Sequence, residues 1–290
     1  MDTQEQIQAV SQFLLQSPPG EINDVLNDVR NIIADDDSLQ AGILPALLEY
    51  NLAQFTVADV PGVSHNSIVS DAAKVAGEED RFLDPRSRTS FRFDHISLET
   101  ADPQTVEPDA ESEPFRAALE LSVLQYLSAH YNEGTASVFS TPDNTSRFAI
   151  QIVANKYNPA NFWSGRWRSE YIVDLTENTI SGRVLLNVHY YENGNVQLET
   201  QHKSNISLPP TISASSPAQS ATKILALIED HESAYQSGIT ESYHQMGEKT
   251  FKGLRRALPL TRQKLDWDKV LGYKLGAELS GAGKGAFGSS

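Results

Sequence analysis

The sequence predicts an α+β protein: an antiparallel helical bundle, then a central antiparallel sheet, then helices laid on that sheet. Three observations carry this. Apolar residues recur at helical spacing through the first fifty-odd positions. From Phe55 the texture changes to short β-prone runs punctuated by Gly, Pro, Asn and Asp. After residue 212 the helical period returns, and from Gln245 the charge changes sign.

In order along the chain, Ile7, Val10, Phe13 and Leu14 mark a first helix, interrupted by Ser17-Pro18-Pro19-Gly20. Ile22, Val25, Leu26, Val29 and Ile32-Ile33 mark a second, stopped by Asp35-Asp36-Asp37. Leu39, Ile43, Leu44, Leu47 and Leu48 mark a third, and breaks this short favour antiparallel neighbours in a compact unit over 1–53. A sheet region is expected over 54–212. Ser90–Asp94 alternates as a half-buried strand does, acidic, Pro-spaced Ala101–Pro114 reads as a loop, and Glu113–Tyr131 as an inserted helix. Strands are then expected at Ala136–Ser140, Arg147–Tyr157, Phe162–Leu175, Thr179–Tyr191 and Asn195–Ser207. Asn193-Gly194 has the residues of a type I′ hairpin turn, and short connections force antiparallel pairing. Ser213–Pro217 marks the exit from the sheet into a long helix, part of a region over 213–248. That helix is expected from about Ala218 to Tyr235, a second from Glu241 to Leu258 before Pro259, and a last from about Arg262 to Leu279. The Gly/Ser-rich stretch 280–290 reads as a disordered tail.

Composition bounds the function. The chain has 290 residues, of which 39% are hydrophobic, enough for a core, and no run approaches the roughly 18 apolar residues of a membrane span. Met1–Glu5 lacks the basic and apolar segments of a signal peptide, so a cytosolic setting is the expectation. With no Cys, disulfides, thiol catalysis and cysteine-ligated zinc are excluded. The formal net charge is −15, yet the nine Lys/Arg and four Asp/Glu from Gln245 to Ser290 make that segment +5, leaving −20 on the rest. An acidic body repels nucleic acid, so none is expected as a partner. A basic end on an acidic body is suited to gripping something negatively charged.

Within that end, Trp267, Leu271, Leu275 and Leu279 recur every four residues, and Val270 widens the stripe. Upstream, Phe251, Leu254 and Leu258 form a shorter stripe with Lys252, Arg255, Arg256 and Arg262 around it. A terminal helix of this type ordinarily packs on its own core. Here Pro259 interrupts it and no core-forming sequence follows, which favours docking in a partner's groove, on an anionic membrane, or as a calmodulin target. Other motifs carry less. His189 and Glu192 fall on opposite faces of a strand, the remaining histidines lack ligand spacing, and no P-loop, GxGxxG or GxSxG occurs, so neither an enzyme nor a metal or cofactor site is expected. Trp163 and Trp167 share one strand face with Arg166 and Arg168 opposite, read as core plus solvated charge rather than a base-stacking platform.

Six stretches together resemble the α subunit of F-actin capping protein, the family of heterodimers that block the fast-growing barbed end of actin filaments. They are Val188-His189-Tyr190-Tyr191-Glu192-Asn193-Gly194-Asn195-Val196-Gln197-Leu198, and Phe251-Lys252-Gly253-Leu254-Arg255-Arg256-Ala257-Leu258-Pro259-Leu260-Thr261-Arg262, then Pro18–Glu21 with Asn27–Arg30, and Arg81–Arg86 with Phe93–His95. The resemblance spans essentially residues 5–279, and the Gly/Ser extension after Leu279 departs from animal forms and suggests a fungal version. It implies a sheet shared with a β subunit as obligate partner, and a C-terminal amphipathic tentacle over 249–279. It implies actin contacts from Lys252, Arg255, Arg256 and Arg262, with Trp267, Val270, Leu271 and Leu275 as the apolar face. It further implies calcium-independent capping, inhibition by phosphatidylinositol bisphosphate at Lys252, Arg256 and Arg262, capping-protein regulators as partners, and a cytoplasmic place in cortical actin structures. Membrane binding through the basic helix, and capping of the actin-related filament in dynactin, are the alternatives it leaves.

Overall fold

The computed structural model describes residues 3–251, apart from 33–35, 132, 142–143 and 193. It forms two units, Met1–Tyr235 and Gln236–Ser290. The first opens with α1 (Thr3–Leu15), α2 (Ile22–Ile32) and α3 (Asp36–Ala53). Their apolar stripes meet as one cluster of Val10, Leu14, Leu26, Val29, Ile43 and Leu47. The break between α1 and α2 turns at Gly20, whose φ is +84° and whose missing Cβ leaves room for the Tyr157 ring, 3.3 Å from where a Cβ would stand. Only glycine meets both demands without strain.

The centre is a five-stranded antiparallel sheet in the order β10-β9-β8-β7-β6. Its strands are β6 (Gly134–Thr141), β7 (Asn144–Asn158), β8 (Trp163–Asp174), β9 (Thr179–Tyr190) and β10 (Val196–Ser207), close to the expected ranges. Tyr190 pairs with Val196, so the β9–β10 connection is five residues long and not the two-residue turn that Asn193-Gly194 suggested; Asn193 itself lies outside the described residues. One face packs on α4 (Glu113–His130) and α5 (Pro217–Gln245). There Phe148, Ile150, Ile152, Tyr171, Val173, Ile180 and Val184 from the strands meet Leu119, Val123, Ile224 and Ile228 from the helices.

The opposite face is covered too. A smaller three-stranded sheet, β3 (Arg81–Asp84), β4 (Thr89–Phe93) and β5 (Thr100–Thr105), buries Phe82, Phe91 and Phe93 with Phe139 and Ala149 of the central sheet. The hairpin β1 (Thr56–Ala58) and β2 (Ser67–Val69) sets Ile68 against Val153. This coverage corrects the expectation that Arg166 and Arg168 are solvated: both are buried. Arg166 donates to the Tyr50 hydroxyl at 2.8 Å and Gln54 Oε1 at 2.6 Å. Arg168 donates to the Gln54 carbonyl and, through Nη1, to the carbonyls of Ala154 and Trp167 at 3.2 and 2.7 Å. Burial first, then the neighbouring Arg166 cation, push the Arg168 pKa down.

Two further expectations are corrected. The stretch expected as a loop from Ala101 begins with strand β5. Its register with β4 shifts between Ser90 and Arg92, leaving Asp102 and Pro103 in a bulge at an edge, where proline's missing amide donor does no harm. Arg81 fastens that bulge by donating to the Asp102 carboxylate and carbonyl. The two helices expected at 218–235 and from 241 are one: α5 runs unbroken to Gln245, with Gly238 inside it, and continues as a π-helical turn Met246–Phe251. A glycine costs a helix about 1 kcal/mol but does not end it, because its amide is still free to donate.

Candidate functional site

The basic C-terminal segment follows α5, so the seating of α5 comes first. Its inward residues are Ser220, Ala221, Ile224, Leu225, Ile228 and Glu232, a stripe at helical spacing whose last member is an acid. Ser220 secures the start: its hydroxyl donates to the Ser213 carbonyl at 2.8 Å and accepts from the Ser213 amide at 2.9 Å. Glu232 is 1% exposed, and a buried carboxylate must be satisfied. Three tyrosine hydroxyls donate to it: Tyr126 at 2.5 Å and Tyr131 at 2.7 Å to Oε2, and Tyr171 at 2.9 Å to Oε1. Burial, then the Glu232 charge, raises the pKa of all three phenols, which keeps them protonated as donors. This arrangement ties α5 at one point to α4, to the residue after it, and to β8.

A second contact joins α5 to the outer strand. His231 Nε2 lies 2.9 Å from His202 Nε2 of β10, and His202 stacks on the Tyr235 ring at 4.4 Å. Burial, then the facing His202, lowers the His231 pKa, which favours the neutral His231 ring in this contact. On the other face of β9, His189 Nδ1 is 2.8 Å from Glu21 Oε1 and its Nε2 is 3.1 Å from Asn195 Oδ1. His189 therefore locks the α1–α2 turn to the β9–β10 connection. Among the described residues no further strand pairs beyond β10, whose residues alternate between exposed and half-buried.

Of the residues expected to bind actin, Lys252, Arg255, Arg256, Arg262, Trp267, Val270, Leu271 and Leu275 all lie outside the described residues. The same holds for the phosphoinositide set within them. Among the described residues no group of three or more His, Asp and Glu side chains is placed to hold a metal ion. Sequence reading missed Glu232 and its tyrosines. The available signal was the acid itself, four residues after Ile228 and eight after Ile224, inside the apolar stripe.

Comparison with known proteins agrees with this architecture. A family model for the F-actin capping protein alpha subunit matches residues 10–278. F-actin-capping protein subunit alpha of Emericella nidulans is 37% identical over 280 residues, covering 96% of this chain and 98% of the relative. Its counterpart in Aspergillus fumigatus is 38% identical, covering 96% and 98%. That of Caenorhabditis elegans is 35% identical, covering 95% and 97%. A solved homodimeric actin capping protein alpha subunit from Plasmodium berghei superposes with a TM-score of 0.68 at 18% identity, over 89% of this chain and 99% of that one. At that identity the likeness speaks for the fold. Family match and full-length identity together show that this chain belongs to the F-actin capping protein alpha-subunit family.

Proposed function

We propose that this chain is the α half of a capping heterodimer that binds the barbed end of actin filaments and blocks both addition and loss of subunits. The observation that carries the reading is full-length membership of the capping family joined to the reversal of charge at Gln245. Among the described residues the outer edge of β10 is unpaired, which supports a shared sheet with the β subunit, since such an edge is a ready template for another strand. Actin is acidic, so Lys252, Arg255, Arg256 and Arg262 speed encounter by steering, while Trp267, Val270, Leu271 and Leu275 bury on the filament end and set its residence time. The role is stoichiometric binding, calcium-independent and without a chemical step, in the cytoplasm at cortical actin structures.

Phosphatidylinositol bisphosphate competing for Lys252, Arg256 and Arg262 is the regulatory counterpart of the same charge, because a polyanionic headgroup and an acidic filament end need the same cations. Capping-protein regulators are further partners, and an actin-related filament presents similar contacts. Seeded elongation tests the proposal: nanomolar chain co-purified with its β subunit stops barbed-end growth, and association slows as salt rises. Undiminished growth contradicts capping, and a salt-independent association rate contradicts the steering role.

A further inference from the structure

Two imidazole nitrogens meet head to head between α5 and the outer strand of the central sheet. His231 Nε2 lies 2.9 Å from His202 Nε2. The ring centroids are 5.0 Å apart and the planes 27° from parallel, so the rings meet edge to edge with these nitrogens pointing at each other. A metal ion held head on between two imidazoles would need about 4 Å between the nitrogens, twice a bond of roughly 2.0–2.1 Å. The contact therefore has room for a proton and not for an ion. The rings are also fixed in place. His202 lies flat against the Tyr235 ring, centroids 4.4 Å apart and planes 15° from parallel, and Tyr235 donates to the Thr200 hydroxyl at 3.4 Å. Among the described residues these are the two side-chain hydrogen bonds that join α5 to β10.

A neutral imidazole has one N–H and one bare nitrogen, and an imidazolium has two N–H groups. The pair can hold with no charge or with one, because in either state one Nε2–H donates to a bare Nε2. A second charge puts a hydrogen on both facing atoms and leaves no acceptor. We propose that this contact is an acid-released latch, closed while one of the two facing nitrogens is bare and open once both carry a proton, so that acid frees the Tyr235 end of α5 from β10. The surroundings do not supply a substitute partner. Glu232, next in α5, has its carboxylate taken up by Tyr126, Tyr131 and Tyr171. Glu229 is 3.1 Å from His130 of α4, and Asp230 is exposed. From β9 the residue opposite His202 is Val184, and the β10 charges Glu199 and Lys203 belong to the other face of the strand. Burial, then His202, holds the His231 pKa below its ordinary 6.5 against the pull of Glu232. The open form therefore takes up the extra proton, so the latch is intact above pH 6.5 and weakens as pH falls below it.

Hydrogen exchange read by mass spectrometry tests this on the chain co-purified with its β subunit, from pH 7.5 to 5.5 and corrected for the intrinsic pH dependence of exchange. Peptides covering 200–206 and 224–235 are expected to lose protection below pH 6.5, by up to about tenfold per pH unit for one extra proton. Peptides from β7 and β8 should keep theirs. His231→Gln still offers His202 an amide donor and acceptor but takes no proton, so the acid-dependent loss is expected to disappear. His202→Gln, the change on the other side of the contact, should act alike. Flat protection in wild type overturns the proposal without recourse to any variant. So does a loss shared equally by β7 and β8, which marks global unfolding, or an undiminished loss in both glutamine variants.

Discussion

At the scale of single residues, Glu232 shows how a buried charge becomes a positioning device. Its carboxylate accepts three hydroxyls from Tyr126, Tyr131 and Tyr171 in a site closed to solvent. Hydrogen bonds to a charged group contribute about 1.5–3 kcal/mol each, and one left unmade leaves a buried polar atom unsatisfied. Glu232→Gln keeps the shape but replaces a charged acceptor with an amide, so a loss of about 2–4 kcal/mol is expected in urea unfolding of the heterodimer. Tyr171→Phe should cost about 1–2 kcal/mol. An unchanged midpoint in both variants contradicts the clamp. His95 sets a pH dependence. It is buried, its Nδ1 lies 3.3 Å from Asn51 Nδ2, which can donate only to a neutral ring, and burial lowers its pKa from 6.5. The unfolded chain therefore takes up the proton first, so stability is full above pH 6.5 and falls as pH drops below it. The urea midpoint is expected to decline from pH 7.5 to 6, less steeply in His95→Phe; an equal slope in the two contradicts the assignment.

At the scale of elements, the long regular pieces were legible and the short irregular ones were not. The helical period of the first three helices, and the apolar content and turn signals around β6 to β10, are local properties, and the structure follows them within a few residues. From its own residues β5 reads as a loop, because its pairing depends on a bulge at Asp102 and Pro103 and on Arg81, twenty-one positions away from Asp102. The burial of Arg166 and Arg168 is invisible in the sequence because Tyr50 of α3 and Gln54 just after it, more than a hundred residues earlier, supply their partners. The sheet has a tight point of its own at Gly182, where an added Cβ would stand 2.3 Å from Ser204 Oγ and 2.6 Å from Tyr171 Cε1. Gly182→Ala is expected to destabilise the chain by about 1–3 kcal/mol, through overpacking between β8, β9 and β10. A wild-type melting curve contradicts that close approach.

At the scale of the whole molecule, the division of charge was the part of the site most legible from sequence, because it needs only a count: an acidic body and a +5 segment from Gln245 onward. Which residues of that segment grip a partner came from resemblance, and the described residues end just before them. The anchoring of α5 was not legible, because Tyr126, Tyr131 and Tyr171 lie 61 to 106 positions from Glu232. A helix fixed on the sheet by a satisfied buried acid precedes the cationic segment to which filament binding is proposed. Trp267→Ala is expected to shorten residence on the filament end more than it slows arrival, roughly tenfold or more if the ring is a central anchor. An off-rate equal to wild type contradicts the anchor. The central claim is tested most directly by barbed-end elongation with the heterodimer beside a form whose α chain ends before Lys249. The intact heterodimer is expected to stop growth at nanomolar concentration and the truncated one to leave it running; equal capping by both would place the grip on the β subunit instead.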